Sequence, residues 1–183
     1  MRIIGGRLKG KMITPPAGYK ARPTTDFAKE GLFNILDNEY YFEDLKILDL
    51  FGGTGSIAFE FASRGAGSVV SVEMNPSNAA FIKKSAASLG IDGIVQTVHH
   101  NVFDFLEICS KKFDIVFADP PYAIEGLDTI PDKVLGRGIV VDGGYLILEH
   151  PAEYSFAQHP FFVKEKKYGN VHFSFFTPHE TDK

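Results

Sequence analysis

The 183-residue chain has little of what disulfide formation, membrane insertion or metal binding requires. Its single cysteine, Cys109, has no second cysteine in the chain to pair with. No apolar run reaches the roughly 20 residues of a membrane-spanning helix, and no histidine stands at a metal-ligand spacing with cysteine or acidic partners. We therefore expect a cytoplasmic protein without a membrane segment and without a bound metal.

Acidic residues are also absent before Asp26, whereas six basic residues occupy the same segment. These residues are Arg2, Arg7, Lys9, Lys11, Lys20 and Arg22. The segment carries +6, so the rest of the chain carries −10, because the net charge is −4. A solvated tail can have this composition, but a basic segment on an acidic body is also typical of a protein that contacts nucleic-acid phosphates.

Apolar runs of strand length alternate with helical patterns through the rest of the chain. Five runs predict parallel strands, at residues 45–51, 69–73, 94–98, 113–118 and 145–149. Thr24 or Thr25 and Asn75 are typical helix N-caps, and residues 161–177 predict an antiparallel β-hairpin. We predict an α/β fold in a single domain, residues 1–183, with a doubly wound mixed sheet and a C-terminal hairpin. Residues 1–23 form a basic N-terminal β-hairpin arm in this prediction, and residues 24–183 form the core.

A glycine-rich loop directly follows the first predicted strand. Residues 53–58 read Gly-Thr-Gly-Ser-Ile-Ala, which satisfies the G-x-G-x-x-A pattern of a dinucleotide-binding loop. Residues without a Cβ let backbone N–H groups and a helix N-terminus approach a charged ligand. Glu73 ends the next strand, where a carboxylate accepts hydrogen bonds from an adenosine ribose. The loop and the acid together predict an adenosine cofactor, either NAD or S-adenosylmethionine.

An Asp-Pro-Pro-Tyr motif at residues 119–122 follows the fourth predicted strand. The two prolines fix φ and supply no backbone N–H, so the turn is stiff and offers carbonyl acceptors. Asp119 and the Pro120 carbonyl can accept the two hydrogens of an exocyclic amine, while the ring of Tyr122 stacks on the planar group that carries it. A dehydrogenase has no use for an amine-binding turn at this position. The motif therefore favours S-adenosylmethionine as the cofactor and an amine as the acceptor of its methyl group.

These motifs resemble known methyltransferases. Residues 48–55, Leu-Asp-Leu-Phe-Gly-Gly-Thr-Gly, resemble the first motif of class I methyltransferases, and Asp-Pro-Pro-Tyr resembles the motif of enzymes that act on exocyclic amines. Residues 2–6, 22–26 and 30–36 are similar to the RsmD family of bacterial 16S rRNA guanine-N2 methyltransferases. The resemblance extends from Arg2 to the C-terminal hairpin and implies a Rossmann-like class I methyltransferase fold.

The resemblance implies transfer of a methyl group from S-adenosylmethionine to the N2 of one guanine in 16S rRNA, within the small ribosomal subunit, by a monomer. The implied catalytic residues are Asp119, Pro120 and Tyr122. The implied cofactor-binding residues are Asp49, Phe51, Gly52, Gly53, Thr54, Gly55, Glu73, Asn101, Val102 and Asp119, with Glu73 at the ribose and Asn101 at the adenine amino group. The candidate RNA-binding residues are Arg2, Arg7, Lys9, Lys11, Arg22 and Thr24.

Two positions depart from the family pattern. Lys29 and Glu30 stand where the family has an arginine–glutamate pair, and lysine lacks the planar fork of arginine. Gly52 stands where the glycine loop usually has alanine. Neither change removes a reacting group.

Other functions remain open from the residues alone. The Asp-Pro-Pro-Tyr motif also suits an N6-adenine methyltransferase acting on DNA or RNA. A glutamine-N5 protein methyltransferase fits less well, because that class has asparagine at the position of Asp119. The glycine pattern also suits an NAD-dependent oxidoreductase, and the basic arm suits a catalytically inactive RNA-binding assembly factor.

Overall fold

The computed structural model describes residues 1–15 and 24–179. The strands in these ranges are β1 Lys46–Leu50, β2 Ser68–Glu73, β3 Val95–His99, β4 Phe113–Ala118, β5 Val140–His150, β6 Phe162–Tyr168 and β7 Val171–Phe176. They form one seven-stranded sheet of order β3-β2-β1-β4-β5-β7-β6. Strands β1 to β5 are parallel, and β7 pairs antiparallel with both β5 and β6. This architecture confirms the predicted doubly wound mixed sheet with a terminal hairpin.

Helices cover both faces of the sheet. They are α1 Asp26–Glu39, α2 Ser56–Ser63, α3 Pro76–Ser88, α4 Val102–Ile108 and α5 Ile130–Gly136. The side chains of Thr25 and Asn75 cap α1 and α3, as the sequence predicts. Helices α1 to α3 and the N-terminal arm bury one apolar core, while α4 and α5 bury a second core on the opposite face. The sheet is therefore the middle of three layers.

The strand order reverses between β1 and β4, and this reversal positions the candidate site. The chain moves outward from β1 through β2 to β3 and then returns to β4 on the other side of β1. Loops that follow β1 and β4 must separate to opposite faces, which opens a crevice at the carboxyl ends of these strands. The glycine loop and the Asp-Pro-Pro-Tyr motif both begin at this crevice.

The N-terminal arm is only partly the predicted β-hairpin. Arg2 and Met12 form a single antiparallel bridge, and Ile3 N–H donates to the Lys11 carbonyl over 3.0 Å. Between these ends lies a 3-10 helix, Gly6–Leu8, instead of extended strands. Gly6 has a φ of 69°, and a Cβ on it would lie 2.0 Å from the Ser63 carbonyl oxygen of α2. Close packing on α2 therefore shapes the arm more than strand pairing does.

Two local predictions differ from the structure. The helical pattern predicts that Phe27 faces the core, but 67% of it is exposed, and its ring meets the edge of Tyr168. Strand β5 begins at Val140, five residues before the predicted start at Tyr145. Its early part contains two glycines, which have low strand propensity and hid the extension. Among the described residues, no helix has the length and apolar character needed to cross a membrane.

Candidate active site

The glycine loop makes a tight connection between β1 and α2. Phe51, Gly53 and Gly55 all have positive φ angles, of 64°, 58° and 79°. The Gly52 N–H donates to the Val72 carbonyl over 2.9 Å, and this bond ties the loop to β2. The N-terminus of α2 consequently begins at the carboxyl edge of the sheet, where an anionic or polar ligand is favoured.

The packing around Gly52 explains why this position departs from the family pattern. A Cβ at this position would lie 2.2 Å from the Ser71 hydroxyl oxygen and 3.4 Å from a carboxylate oxygen of Asp49. The Ser71 hydroxyl occupies this space because it donates to Asp49 over 2.9 Å. Glycine is therefore the residue that fits beside Ser71.

Glu73 lies at the same edge and holds the glycine loop through its carboxylate. One oxygen, Oε2, accepts the Gly53 N–H over 2.8 Å, and Oε1 accepts the Asn75 N–H over 2.7 Å. Only 8% of Glu73 is exposed. Each carboxylate oxygen has two lone pairs, so both can accept a further hydrogen bond from a ligand hydroxyl.

Asp49 is a buried carboxylate inside β1, and its donor in the described structure is the Ser71 hydroxyl. Burial raises the pKa of Asp49 to about 7, and the negative charge of Glu73 acts in the same direction. A buried carboxylate is costly without a cation or strong donors. Asp49 therefore marks a position where a positively charged ligand group would be stabilised.

Asp119 leaves β4 beside the start of the glycine loop, since its N–H donates to the Leu50 carbonyl over 3.3 Å. Burial, followed by the negative charges of Glu149 and Asp49, raises the pKa of Asp119 well above its usual range. The Pro121 carbonyl accepts the Ile124 N–H over 2.9 Å and closes the turn. The motif is thus a rigid turn next to an acidic cluster.

Glu149 was not predicted as a site residue, yet it lies beside this motif. It is 4% exposed near the end of β5. The Tyr122 hydroxyl donates to its Oε1 over 3.2 Å, and the Thr24 hydroxyl donates to its Oε2 over 3.3 Å. Burial raises the pKa of Glu149 to about 7 against the effect of these two donors. The sequence did contain a signal for Glu149, because it is an acid at the end of a predicted parallel strand, as Glu73 is.

Asn101 and Val102 lie at the carboxyl end of β3, at the start of α4. Asn101 is the N-cap of this helix, and its side-chain oxygen accepts the N–H groups of Phe103 and Asp104 over 2.9 and 3.3 Å. Val102 is buried in the second core. The His100 N–H donates to the Glu73 carbonyl over 3.1 Å, so this turn is joined to the end of β2.

The basic arm runs along α2, away from the site. The Thr54 hydroxyl contacts the Met1 sulfur over 3.1 Å at the glycine loop, whereas the Arg7 guanidinium reaches the Gly90 carbonyl beyond the end of α3. The Leu8 N–H donates to the Ser63 hydroxyl over 2.9 Å, so the arm follows α2 to its last residue, and an eight-residue helix is about 12 Å long. Arg2 pairs with Asp26 over 3.1 Å. Arg2, Arg7, Lys9 and Lys11 are exposed, and the remaining basic candidate, Arg22, lies outside the described residues.

A buried ionic network fixes the arm to the core and involves the other family departure, Lys29. This lysine is 1% exposed and donates to the Arg2 carbonyl over 2.6 Å, with Glu60 at 3.7 Å. Glu60, which is fully buried, also accepts the Ile4 N–H and the Arg64 guanidinium, both over 3.0 Å. Burial lowers the pKa of Lys29, and the charge of Glu60 opposes this. Lys29 therefore anchors the arm.

Histidines and an acid also come together outside the crevice, although the sequence spacing did not indicate it. His150, Glu165 and His172 have potential ligand atoms within 4.8 Å of one another. They come from three different strands, β5, β6 and β7, so their spacing along the sequence does not show that they lie together. His150 Nδ1 donates to the Pro151 carbonyl, so Nε2 accepts from the Ser174 hydroxyl, and His172 bonds to Glu165 over 2.8 Å. These bonds make the group a polar network that joins three strands.

Comparison with known proteins identifies the family of this chain. A family model described as "Conserved hypothetical protein 95" matches residues 1–177. Ribosomal RNA small subunit methyltransferase D from Escherichia coli (strain K12) is 31% identical over 153 residues, covering 84% of this chain and 76% of that protein. The chain belongs to the RsmD family of methyltransferases.

Another relative and two solved structures are similar over most or nearly all of the chain. The Bacillus subtilis protein YlbH is 30% identical to this chain over 156 residues, which cover 84% of each. The solved structure of Escherichia coli yhhF has a TM-score of 0.84 at 29% identity and covers 99% of both chains. A structure of a hypothetical protein from Thermus thermophilus has a TM-score of 0.83 at 28% identity, covering 97% of this chain and 99% of that one. The family fold therefore includes the N-terminal arm as well as the core.

Proposed function

We propose that this RsmD-family protein transfers a methyl group from S-adenosylmethionine to the exocyclic N2 of a guanine in small-subunit ribosomal RNA. The observation that carries the proposal is the position of Asp119, which follows β4 directly beside the glycine loop and Asp49. This arrangement puts an amine acceptor group next to a cofactor loop. The Escherichia coli relative, whose name describes a ribosomal RNA small subunit methyltransferase, supports ribosomal RNA as the substrate.

The residues at the crevice fit S-adenosylmethionine. Glu73 is fixed at the glycine loop with acceptor positions for the two ribose hydroxyls. The buried carboxylate of Asp49 suits the positive charge of the methionine end, held against residues 52–55. Phe51 and Val102 offer apolar contacts for adenine. The Asn101 oxygen already accepts two N–H groups of the helix. Its amide nitrogen is therefore the group that would reach the adenine, as a donor to a ring nitrogen and not as the acceptor for the amino group that the family resemblance implies.

The acceptor side needs orientation more than a strong base. When bound, S-adenosylmethionine supplies an electrophilic methyl group. The guanine amine is a weak nucleophile because its lone pair is delocalised into the purine ring. Asp119 and the Pro120 carbonyl accept its two hydrogens and hold the nitrogen in line, while the Tyr122 ring fixes the base plane. Orientation of this kind can lower the activation barrier of the transfer by up to ~7–11 kcal/mol. Asp119 then receives the proton that the nitrogen loses as its bond to carbon forms.

Binding measurements separate this proposal from the oxidoreductase alternative. A ligand at a hundred times its Kd stabilises the folded state by ~2.7 kcal/mol. We expect S-adenosylhomocysteine at that ratio to raise Tm by about 5–11 °C for a chain of this length, and NADH to leave it unchanged. Differential scanning fluorimetry measures both. A shift with NADH alone would exclude the methyltransferase proposal.

The direct test is transfer of labelled methyl from S-adenosylmethionine to small ribosomal subunits and to naked 16S rRNA, both from cells that lack the activity. Digestion to nucleosides should yield N2-methylguanosine. N6-Methyladenosine would establish the adenine alternative, and no product with either substrate would favour the inactive assembly factor. We propose the assembled subunit as the better substrate and a monomer as the active form.

Lys9 and Lys11 provide a test of the arm, because both are exposed. We expect the Lys9→Gln/Lys11→Gln variant to bind RNA more weakly and to lower the slope of log K against log salt by roughly 1–2, since each phosphate contact contributes roughly 0.7–0.9. Filter binding at several salt concentrations measures the slope. The matched control is Lys111→Gln/Lys112→Gln, which neutralises two adjacent exposed lysines that directly precede β4 and lie outside the arm. An equal change in both variants would remove the arm from the RNA interface.

A further inference from the structure

Glu149 is a buried acid at the site to which the proposed transfer assigns no role. Strands β4 and β5 are parallel, with Ala118 opposite Leu148. Asp119 directly follows Ala118 at the end of β4, and Glu149 directly follows Leu148 inside β5, so the two acids are next in register, and the charge of Glu149 acts on Asp119. Residues in register on parallel strands point to the same face. The structure therefore presents two adjacent carboxylates, not one, next to the rigid turn.

The contacts of Glu149 hold its carboxylate in one orientation and leave it able to accept more. Tyr122 donates to one oxygen and Thr24 donates to the other. An ionised carboxylate has about four lone-pair positions, so each oxygen retains one. Both donors are themselves candidate substrate contacts, Tyr122 for the base and Thr24 for the RNA. Glu149 is thus fixed by the residues that would surround a base held by Asp119.

Guanine and adenine differ at the atom next to their exocyclic amine. In guanine the N2 amine is adjacent to N1–H, which is a further donor, so three hydrogens lie along one edge. In adenine the N6 amine is adjacent to N1, which carries a lone pair. A second carboxylate beside the amine site accepts the guanine N1–H, whereas it meets the adenine N1 with lone pair against lone pair. An enzyme that flips a base reads it through hydrogen bonds on this edge.

We propose that Glu149 selects guanine by accepting its N1–H while Asp119 and the Pro120 carbonyl accept the N2 amine. This inference rests on the proposed function, since it assumes that the amine of a flipped purine enters the turn. It assigns a specificity-determining role to a residue outside the Asp-Pro-Pro-Tyr motif. A mismatched polar group in such a site leaves buried partners unpaired, which is how proteins reject an analogue strongly.

The test uses a base that keeps the reacting amine and changes only its neighbours. 2,6-Diaminopurine retains the N2 amine, but its N1 is an acceptor and an amine replaces O6. Small-subunit RNA carrying guanine or 2,6-diaminopurine at the methylated position is prepared by ligating a synthetic fragment and is assembled into subunits. We expect the wild type to prefer guanine by about 100-fold or more in kcat/KM. Glu149→Gln can donate to the analogue's N1 through its amide, so its preference should fall at least tenfold.

Binding gives a second readout that does not depend on turnover. In the presence of S-adenosylhomocysteine, the ratio of RNA Kd values for the two bases should fall in Glu149→Gln in parallel with the kinetic preference. Thermal unfolding shows whether the variant is folded. The matched control is Glu153→Gln, which makes the same change at an exposed acid beyond the end of β5 and should keep the wild-type preference for guanine.

The outcomes separate this inference from the proposed function. Guanine-N2 methylation by the wild type, with an equal loss on both bases in Glu149→Gln, would overturn the inference alone and leave Glu149 as a positioning residue for Tyr122. N6-Methyladenosine as the wild-type product would overturn both. A lowered preference in turnover and in binding would support the selection of guanine by Glu149.

Discussion

Asp119→Ala should lose methyl transfer while it keeps its fold and its affinity for S-adenosylhomocysteine. The substitution removes the carboxylate proposed to hold the acceptor amine, and misplacement of a reacting atom by 1 Å can cost about 100-fold in rate. We expect kcat to fall by at least that factor. Single-turnover transfer of labelled methyl to small subunits measures it, and isothermal titration with S-adenosylhomocysteine measures the retained affinity.

The fold of this variant should not suffer. Burial, followed by the charges of Glu149 and Asp49, raises the pKa of Asp119, which means that the ionised group is held against desolvation and repulsion in the folded protein. Removing it relieves that repulsion, so Tm should be equal to or above the wild-type value near pH 8. A large fall in Tm would indicate misfolding and not a lost catalytic group.

Asp128→Ala is the matched control for Asp119→Ala. Asp128 is exposed in the segment between β4 and α5, away from the glycine loop. Its removal takes one carboxylate from the same connection and should leave kcat within twofold of the wild type. Turnover of Asp119→Ala within tenfold of the wild type would contradict the proposed grip on the amine.

Glu60→Ala should be among the most destabilising substitutions in the chain. Glu60 is fully buried and accepts the Ile4 N–H of the arm and the Arg64 guanidinium, with Lys29 at 3.7 Å. Its loss leaves Lys29 buried without its carboxylate, and breaking a buried pair in this way costs about 3–5 kcal/mol. For a chain of this length, Tm should fall by about 6–20 °C. Thermal and urea unfolding both measure the effect.

Two comparisons show whether the buried charge is responsible. Glu107→Ala removes an exposed carboxylate that pairs with Arg137 over 3.0 Å, and it should cost about 1 kcal/mol or less. The double variant Lys29→Met/Glu60→Leu replaces the buried pair by apolar groups and should recover part of the lost stability. Equal losses in Glu60→Ala and Glu107→Ala would mean that the network does not anchor the arm.

The sequence predicted those parts of the fold that depend on local patterns. The capping residues Thr25 and Asn75 mark where α1 and α3 begin, because a side-chain oxygen at that position serves free helix N–H groups. Apolar runs predicted β4 at its observed bounds. These signals operate within a few residues, so they are readable before the chain is folded.

The remaining features depend on contacts between distant segments. Glu149 becomes part of the site only because β5 lies next to β4 and because Tyr122 and Thr24 turn toward it. The burial of Lys29 depends on the arm lying over α1 and α2. Phe27 reads as a core residue by its type, yet it lies at the surface, where its ring contacts Tyr168 of the terminal hairpin. Such pairings have no local signature.

The close packing of Gly52 against Ser71 couples a position in the glycine loop to a position in β2. A methyl group at position 52 would displace the Ser71 hydroxyl and take from Asp49 its hydrogen-bond donor. An alanine can therefore enter the glycine loop without loss only where position 71 leaves this space empty, because Ser71 would have to turn its hydroxyl away from Asp49. Relatives with alanine at position 52 should differ at position 71 as well. Positions 52 and 71 should therefore change together in evolution. Exchanging one of these residues alone between family members should lower stability, whereas exchanging both should not.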